Sequence, residues 1–123
     1  MTEEPMLIQS RESLDHLLRE QKISVLYFSS SNCNVCHALL PKVLKLAQNY
    51  EIMVGEINIQ ELREEAGQFL VFTVPTLLIM LEGKEILRES RFIDLLNVAR
   101  TLESLSEYLE PVLPSGNISL SNI

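Results

Sequence analysis

The chain has 123 residues, of which 46% are apolar and 22% charged, with a formal net charge of −7. This length fits one domain, and the apolar share is enough for a packed core, which excludes a disordered chain. The negative charge argues against nucleic acid and anionic membranes as partners, because an acidic protein gains nothing from releasing the counterions of phosphates.

The first part of the chain is predicted to form a strand, a helix and a second strand. Residues 6–9 are a short apolar run, and Ser10 can cap a helix that has leucines along one face. Residues 23–28 are β-branched and aromatic, which is typical of a buried central strand. The polar residues 29–32 end this strand and lead into the next element.

A second helix is predicted over residues 33–50, because apolar side chains recur there at helical spacing with lysines between them. Pro41 removes a backbone donor inside this helix, so we expect a kink near Leu40. Residues 52–59 alternate between apolar and polar side chains, as a strand does, and residues 61–69 have a helical pattern. The predicted order to this point is βαβαβα.

The last part of the chain adds a hairpin and a final helix. Residues 76–81 predict a strand, 82–84 a tight turn and 85–92 the antiparallel partner. Residues 94–110 predict an amphipathic helix that Pro111 ends. We therefore predict one α/β domain over residues 1–110, with a central mixed sheet of four to five strands and helices on both faces, followed by a flexible tail over residues 111–123.

The two cysteines, Cys33 and Cys36, form a C-x-x-C motif where the second strand becomes a helix. Unpaired backbone N–H groups and the positive end of the helix dipole favour a thiolate, which lowers the pKa of the first cysteine from about 8.5 toward neutrality. Cys33 is therefore the predicted nucleophile, and Cys36, one helical turn along, would resolve the mixed disulfide. A structural staple is a poor alternative, because so short a loop constrains the unfolded chain little.

Residues 6–110 resemble the thioredoxin family on three motifs: the C-x-x-C that opens a helix, Pro41 eight positions after Cys33, and Val74-Pro75 before a strand. The resemblance implies a thioredoxin fold and thiol–disulfide oxidoreductase activity that needs no cofactor. It implies a cis Pro75 against the dithiol and a Val74 backbone that pairs with a substrate strand. The implied partners are a disulfide-containing protein substrate and a thioredoxin reductase or other electron donor.

The surroundings of the dithiol depart from the pattern of this family. Asn34 and Val35 replace the Gly-Pro between the cysteines, and the chain has no tryptophan. Tyr27 stands where thioredoxins bury an aspartate, and Glu56 stands where they place a lysine. Proton handling should therefore differ, and one hypothesis is that Glu56 accepts the proton of Cys36.

His37 has two interpretations. It could lower the pKa of a cysteine as a nearby cation, or it could lie on the exposed side of the first helical turn without a catalytic role, and we favour the second interpretation. His37 also completes the C-x-x-C-H motif of c-type haem attachment, with Met53 or Met80 as conceivable axial ligands. We set haem aside because its attachment follows export, and zinc because a fourth ligand is missing. The prediction is no metal.

The first five residues carry acidic side chains where a secretory signal has Lys or Arg, and no apolar run approaches the roughly 18 residues of a membrane span. We expect a cytoplasmic monomer that binds neither nucleic acid nor membrane. The alternative to an enzyme is a redox-inactive module of the same fold that presents the groove around Val74 to a partner protein.

Overall fold

The computed structural model describes residues 4–109, and the tail predicted over residues 111–123 lies outside them. The elements follow in the order β1 (Met6–Leu7), α1 (Arg11–Glu20), β2 (Ile23–Ser29), α2 (Asn34–Gln48), β3 (Met53–Asn58), α3 (Arg63–Gln68), β4 (Thr76–Leu81), β5 (Lys84–Ser90) and α4 (Leu95–Leu109). This order confirms the predicted succession of strands and helices. None of these helices is long and apolar enough to cross a bilayer.

The strands form one mixed sheet in the order β1-β3-β2-β4-β5. The first three strands are parallel, β4 runs antiparallel to β2, and β5 runs antiparallel to β4. Every residue of β2 is buried, which explains why all its side chains except Ser24 and Ser29 are apolar or aromatic. The predicted mixed sheet is confirmed, with five strands.

Helices cover both faces of the sheet, so the domain has two apolar layers. On one face, α1 and α3 enclose a cluster that includes Leu14, Leu17, Phe28 and Ala66. On the other face, α2 and α4 enclose Tyr27, Cys36, Val43, Val98 and Leu102. The cysteine motif therefore belongs to the layer beneath α2 and α4.

The end of β5 differs from the sequence prediction for a backbone reason. The strand predicted over residues 85–92 ends at Ser90, because Arg91 has a left-handed backbone (φ 66°) and its N–H donates to the Pro75 carbonyl. The first helix begins as predicted, with Ser10 and Ser13 forming a reciprocal capping box. Helix α2 continues through Pro41 as one element.

The strand register brings three chain segments to one end of the sheet. Phe28 lies opposite Thr76, and Thr76 lies opposite Ser90. The residues that follow β2, precede β4 and follow β5 therefore leave the sheet side by side. We call this end, formed by residues 30–36, 72–75 and 91–92, the cysteine end of the sheet.

Candidate active site

Cys33 occupies the N-cap position of α2, with an extended backbone, and its side chain accepts a hydrogen bond from the first turn of the helix. The donor is the backbone N–H of Cys36, 3.1 Å from the Cys33 sulfur. The two cysteines are joined as a disulfide, with their Cα atoms 5.3 Å apart. The C-x-x-C therefore lies at a helix N-terminus, as predicted, where the positive end of the dipole stabilises an anionic sulfur.

The two sulfurs differ in access to solvent. Cys36 is 0% exposed, whereas Cys33 is partly accessible at the start of the helix. Val35, between the two cysteines in sequence, is 62% exposed. Cys33 is therefore the more accessible of the two cysteines to an external disulfide.

Tyr27 lies beneath the first turn of α2 and is fully buried. Its hydroxyl donates a 2.7 Å hydrogen bond to the backbone carbonyl of Cys36. Burial, with a smaller contribution from the nearby Glu56 carboxylate, raises the pKa of Tyr27 to about 12. Tyr27, which stands where thioredoxins bury an aspartate, is therefore a fixed hydrogen-bond donor that stays protonated near neutral pH.

Glu56 lies on β3 opposite Tyr27 in the strand register. Its carboxylate accepts a 3.0 Å hydrogen bond from the Ser29 hydroxyl. Glu56, Ser29, Ser31 and His37 line one cleft of about 180 Å³ at the edge of the cysteine end. Within the described part of the chain, no hydrogen bond joins Glu56 to either cysteine.

His37 is exposed, and its Nε2 lies 3.0 Å from the Ser31 carbonyl oxygen. Because a carbonyl only accepts, Nε2 carries a proton in this contact. Two further bonds, from the Cys33 N–H to the Ser30 carbonyl and from the Ser30 hydroxyl to Asn32, hold the same loop. The histidine therefore anchors the connection between β2 and α2, a role that neither interpretation of the sequence included.

The Val74–Pro75 peptide bond is cis, as the family resemblance implied. Two bonds of 2.7 Å hold the segment: the Thr76 hydroxyl donates to the Thr73 carbonyl, and the Arg91 N–H donates to the Pro75 carbonyl. Among residues 4–109, the N–H and C=O of Val74 have no hydrogen-bond partner. Sequence reasoning missed Thr76 and Arg91, because only the strand register brings Arg91 beside the proline.

The geometry contradicts the haem alternative. Met53 and Met80 both lie opposite Ser24 in the strand register, near the start of β2, whereas the cysteines follow the end of that strand. Neither methionine can reach a group attached at Cys33 and Cys36. His, Cys, Asp and Glu side chains in the described region form no group of three that could hold a metal ion.

The chain is similar to known proteins in sequence and in fold. The family model described as thioredoxin matches residues 5–110. Thioredoxin-like protein YdfQ of Bacillus subtilis (strain 168) is 42% identical over 87 residues, which are 70% of this chain and 78% of YdfQ. The structure of thioredoxin 1 from Thermosipho africanus TCF52B is 36% identical, with a TM-score of 0.65 over 69% of this chain and 96% of that one. Oxidised mitochondrial thioredoxin 3 from Saccharomyces cerevisiae, at 17% identity, shares the fold with a TM-score of 0.71 over 81% of this chain and 94% of its own.

Proposed function

The chain belongs to the thioredoxin family. From that premise we propose that its Cys33–Cys36 dithiol undergoes thiol–disulfide exchange with the disulfide of a protein substrate. The observation that carries the proposal is the 3.1 Å contact from the Cys36 N–H to the Cys33 sulfur at the start of α2. A thiolate at this position is stabilised by the helix terminus and is accessible to an external disulfide.

The reaction runs in two displacements. The Cys33 thiolate attacks one sulfur of the substrate disulfide, so that a Cys33–substrate disulfide forms and the other substrate sulfur leaves as a thiolate. The Cys36 thiolate then attacks the Cys33 sulfur, which forms the intramolecular disulfide and releases the second substrate sulfur. The substrate gains two electrons, two protons complete its thiols, and the protein ends as the disulfide that the structure describes.

Val74 and Pro75 are proposed to bind the substrate backbone. Extended peptides add to a protein by pairing their main-chain groups with free N–H and C=O groups. Val74 offers both groups, and its neighbours on either side are fixed by Thr76 and Arg91. A substrate strand paired at Val74 would lie at the cysteine end of the sheet, with its disulfide near the start of α2.

Glu56 is proposed as the group that accepts the Cys36 proton before the second displacement. Tyr27 is unsuited to this role, because an acceptor with a pKa of about 12 remains protonated at working pH. Glu56 shares the sheet face of Tyr27, whose hydroxyl bonds the Cys36 carbonyl, and its carboxylate lines the adjacent cleft, so we propose that the proton passes from Cys36 to Glu56 through water. We assign His37 to positioning, because its Nε2 is committed to the Ser31 carbonyl.

Glu56→Gln tests this assignment through the pH dependence of the second displacement. We expect a slower second step in the variant and a changed pH profile, because the amide cannot accept a proton. Glu61→Gln is the matched control, since Glu61 lines the same cleft and is exposed. A Glu56→Gln profile that superimposes on that of the wild type rejects the role of Glu56 and leaves the cysteine chemistry intact.

The main experiment follows insulin reduction, with dithiothreitol or with NADPH and a thioredoxin reductase as the electron donor. We expect turnover in the wild type and none in Cys33→Ser. Cys36→Ser should accumulate a mixed disulfide with the substrate on non-reducing gels. Both variants lack the intramolecular disulfide, so each controls for the other's loss of stability. Equal rates for Cys33→Ser and the wild type would leave the redox-inactive binding module as the function.

We further propose that the protein acts as a monomer in the cytoplasm, where a reductase keeps thiols reduced. Size-exclusion chromatography at micromolar concentration is expected to give the mass of a single 123-residue chain. Cell fractionation is expected to recover the protein with cytoplasmic enzymes. A dimer mass would contradict the monomer, and recovery with the membrane or exported fraction would contradict the cytoplasmic location.

A further inference from the structure

Two of the four phenylalanines of the chain lie on the surface at the cysteine end of the sheet. Phe92 is 88% exposed and Phe72 is 73% exposed. The other two, Phe28 and Phe69, pack against each other with ring centroids 5.9 Å apart. Exposed aromatic rings do not stabilise the fold by packing in the core, and aromatic side chains are enriched in the centres of protein interfaces.

The two exposed rings belong to the two chain segments that meet at Val74 and Pro75, the segment proposed to bind substrate. Phe72 precedes Val74 by two residues, in the loop that enters β4. Phe92 follows Arg91, whose N–H is 2.7 Å from the Pro75 carbonyl. A peptide strand paired at Val74 would therefore lie close to both segments that carry the exposed rings.

Arg91 adds a positive charge next to Phe92. The side chain is exposed and forms no ion pair with any described residue. The acidic residues nearest to Arg91 in sequence are Glu89 and Asp94, and both bond other groups. Glu89 accepts hydrogen bonds from the Asp94 N–H and the Asn97 side chain, and Asp94 accepts one from the Asn97 N–H. Because no carboxylate of residues 4–109 pairs with the guanidinium, it is open to a carboxylate of a partner.

The helix terminus adds to the same local field. The first turn of α2 contains no acidic residue, so the positive end of its dipole is not offset there. Cys33, Arg91 and this terminus lie at one end of a chain whose formal net charge is −7. A guanidinium unpaired among the described residues and a helix terminus with no acidic residue in its first turn therefore lie at the cysteine end, and both attract a carboxylate of a partner segment.

Arg91 also has an unusual backbone conformation for a residue with a side chain. Its φ of 66° lies in the left-handed region, which costs a non-glycine residue about 1 kcal/mol or more. The side chain contributes no packing in return, because it is exposed. Residues held in this way occur preferentially where they contact ligands.

We propose that Phe72, Arg91 and Phe92 select the substrate, and that the preferred protein segment carries apolar side chains and a carboxylate next to its disulfide. This inference rests on the proposed exchange chemistry at Cys33. The rings pack on the apolar side chains, and the guanidinium pairs with the carboxylate. The three residues change the efficiency of substrate capture and leave the sulfur chemistry unaltered.

The test compares peptides that share one intramolecular disulfide and differ in the residues beside it. Four flanks are used: acidic and apolar, basic and apolar, neutral and apolar, and acidic without apolar residues. The wild type is expected to reduce the acidic, apolar peptide with the highest kcat/KM. Its advantage over the neutral, apolar peptide should be about three- to fivefold at low salt, which is the range of an exposed ion pair, and should shrink in high salt.

Variants assign the preference to the named residues. Arg91→Asn, which tolerates the left-handed backbone, should abolish the preference for the acidic flank, and Arg91→Glu should reverse it toward the basic flank. Arg19→Asn is the matched control, because Arg19 ends α1 just before β2 begins, at the opposite end of the sheet. Phe72→Ala and Phe92→Ala should each lower kcat/KM for apolar flanks by about tenfold, through an increase in KM.

A small neutral disulfide, 2-hydroxyethyl disulfide, separates failure of this inference from failure of the proposed function. The wild type and the Arg19→Asn control should reduce it at the same rate, since it has no flanking residues. If the wild type reduces it but shows no difference among the four peptides, the selection by Phe72, Arg91 and Phe92 is refuted and the exchange chemistry stands. If the wild type reduces neither this compound nor any peptide, both proposals fall.

Discussion

Removal of the Tyr27 hydroxyl tests how the start of α2 is held in place. Tyr27→Phe deletes the donor of a buried 2.7 Å hydrogen bond to the Cys36 carbonyl and keeps the ring that fills the core. A neutral hydrogen bond of this kind contributes about 1 kcal/mol net, with some further cost from the buried carbonyl that loses its donor. We expect the free energy of unfolding to fall by about 1–1.5 kcal/mol at pH 7.

The same substitution has a pH dependence whose sign follows from the raised pKa. Below pH 10 both the folded and the unfolded tyrosine are protonated, so the titration contributes no pH dependence. As pH rises from the ordinary value of 10.0 toward the native value of about 12, the unfolded state releases the proton while the folded state retains it. Stability of the wild type therefore falls with pH in this window, by about 1.4 kcal/mol at pH 11.

Phenylalanine does not titrate, so the variant escapes this loss. The advantage of the wild type should shrink above pH 10 and vanish near pH 11, where about 1.4 kcal/mol of titration loss offsets the hydrogen bond. Urea unfolding of the oxidised protein between pH 7 and pH 11 measures the difference. The oxidised form is essential, because disulfide-bonded cysteines do not titrate.

Tyr108→Phe is the control for this experiment, because Tyr108 is exposed and loses no buried hydrogen bond. Its curve should follow that of the wild type at every pH. Two results would refute the reasoning: a Tyr27→Phe protein as stable as the wild type at pH 7, or a difference that stays constant up to pH 11.

Three further predictions concern stability; the first two use thermal or urea unfolding, and the third uses hydrogen exchange. Ser10→Ala should lose about 1 kcal/mol, because the side chain caps α1 through the Ser13 N–H, and an unchanged midpoint would show that the cap is dispensable. Leu102→Ala should lose about 2–5 kcal/mol, whereas Leu96→Ala on the exposed face of the same helix should lose almost nothing, and similar losses would contradict the packing of α4. Arg88→Lys should increase hydrogen exchange over residues 69–73, because the guanidinium donates to the Phe69 and Leu70 carbonyls; unchanged exchange would show that other contacts hold this loop.

Much of the fold could be predicted because local pattern and tertiary burial agree. Residues 76–81 are predicted and observed as a strand with the same bounds, and Ser10 caps α1 as its position in the sequence indicates. The ends that were missed depend on contacts between distant residues. The prediction extended β5 to residue 92, yet Arg91 leaves the ladder because its N–H bonds Pro75, sixteen residues earlier. Sequence periodicity carries no information about such a pairing.

The site was predictable to a similar degree. The C-x-x-C motif and the proline before β4 are short local patterns, and the structure places both at the cysteine end of the sheet. The partners of the side chains around them were not predictable. The Tyr27 hydroxyl could have faced a sulfur, a carboxylate or the backbone, and only the packing of α2 on β2 directs it to the Cys36 carbonyl. Likewise, the bond between His37 and Ser31 depends on the path of the loop that joins them.

These two contacts explain how the start of α2 remains ordered without the buried acid that thioredoxins have beneath the dithiol. Tyr27 holds the first turn from inside the protein, and His37 holds the preceding loop from the solvent side. Together they fix the Cys36 N–H where it donates to the sulfur of Cys33. Because neither contact places an ionised group against the dithiol, we expect the Cys33 thiolate of the proposed exchange to be stabilised mainly by oriented backbone groups. In that proposal, release of the Cys36 proton is a separate step, which is assigned to the Glu56 carboxylate in the adjacent cleft.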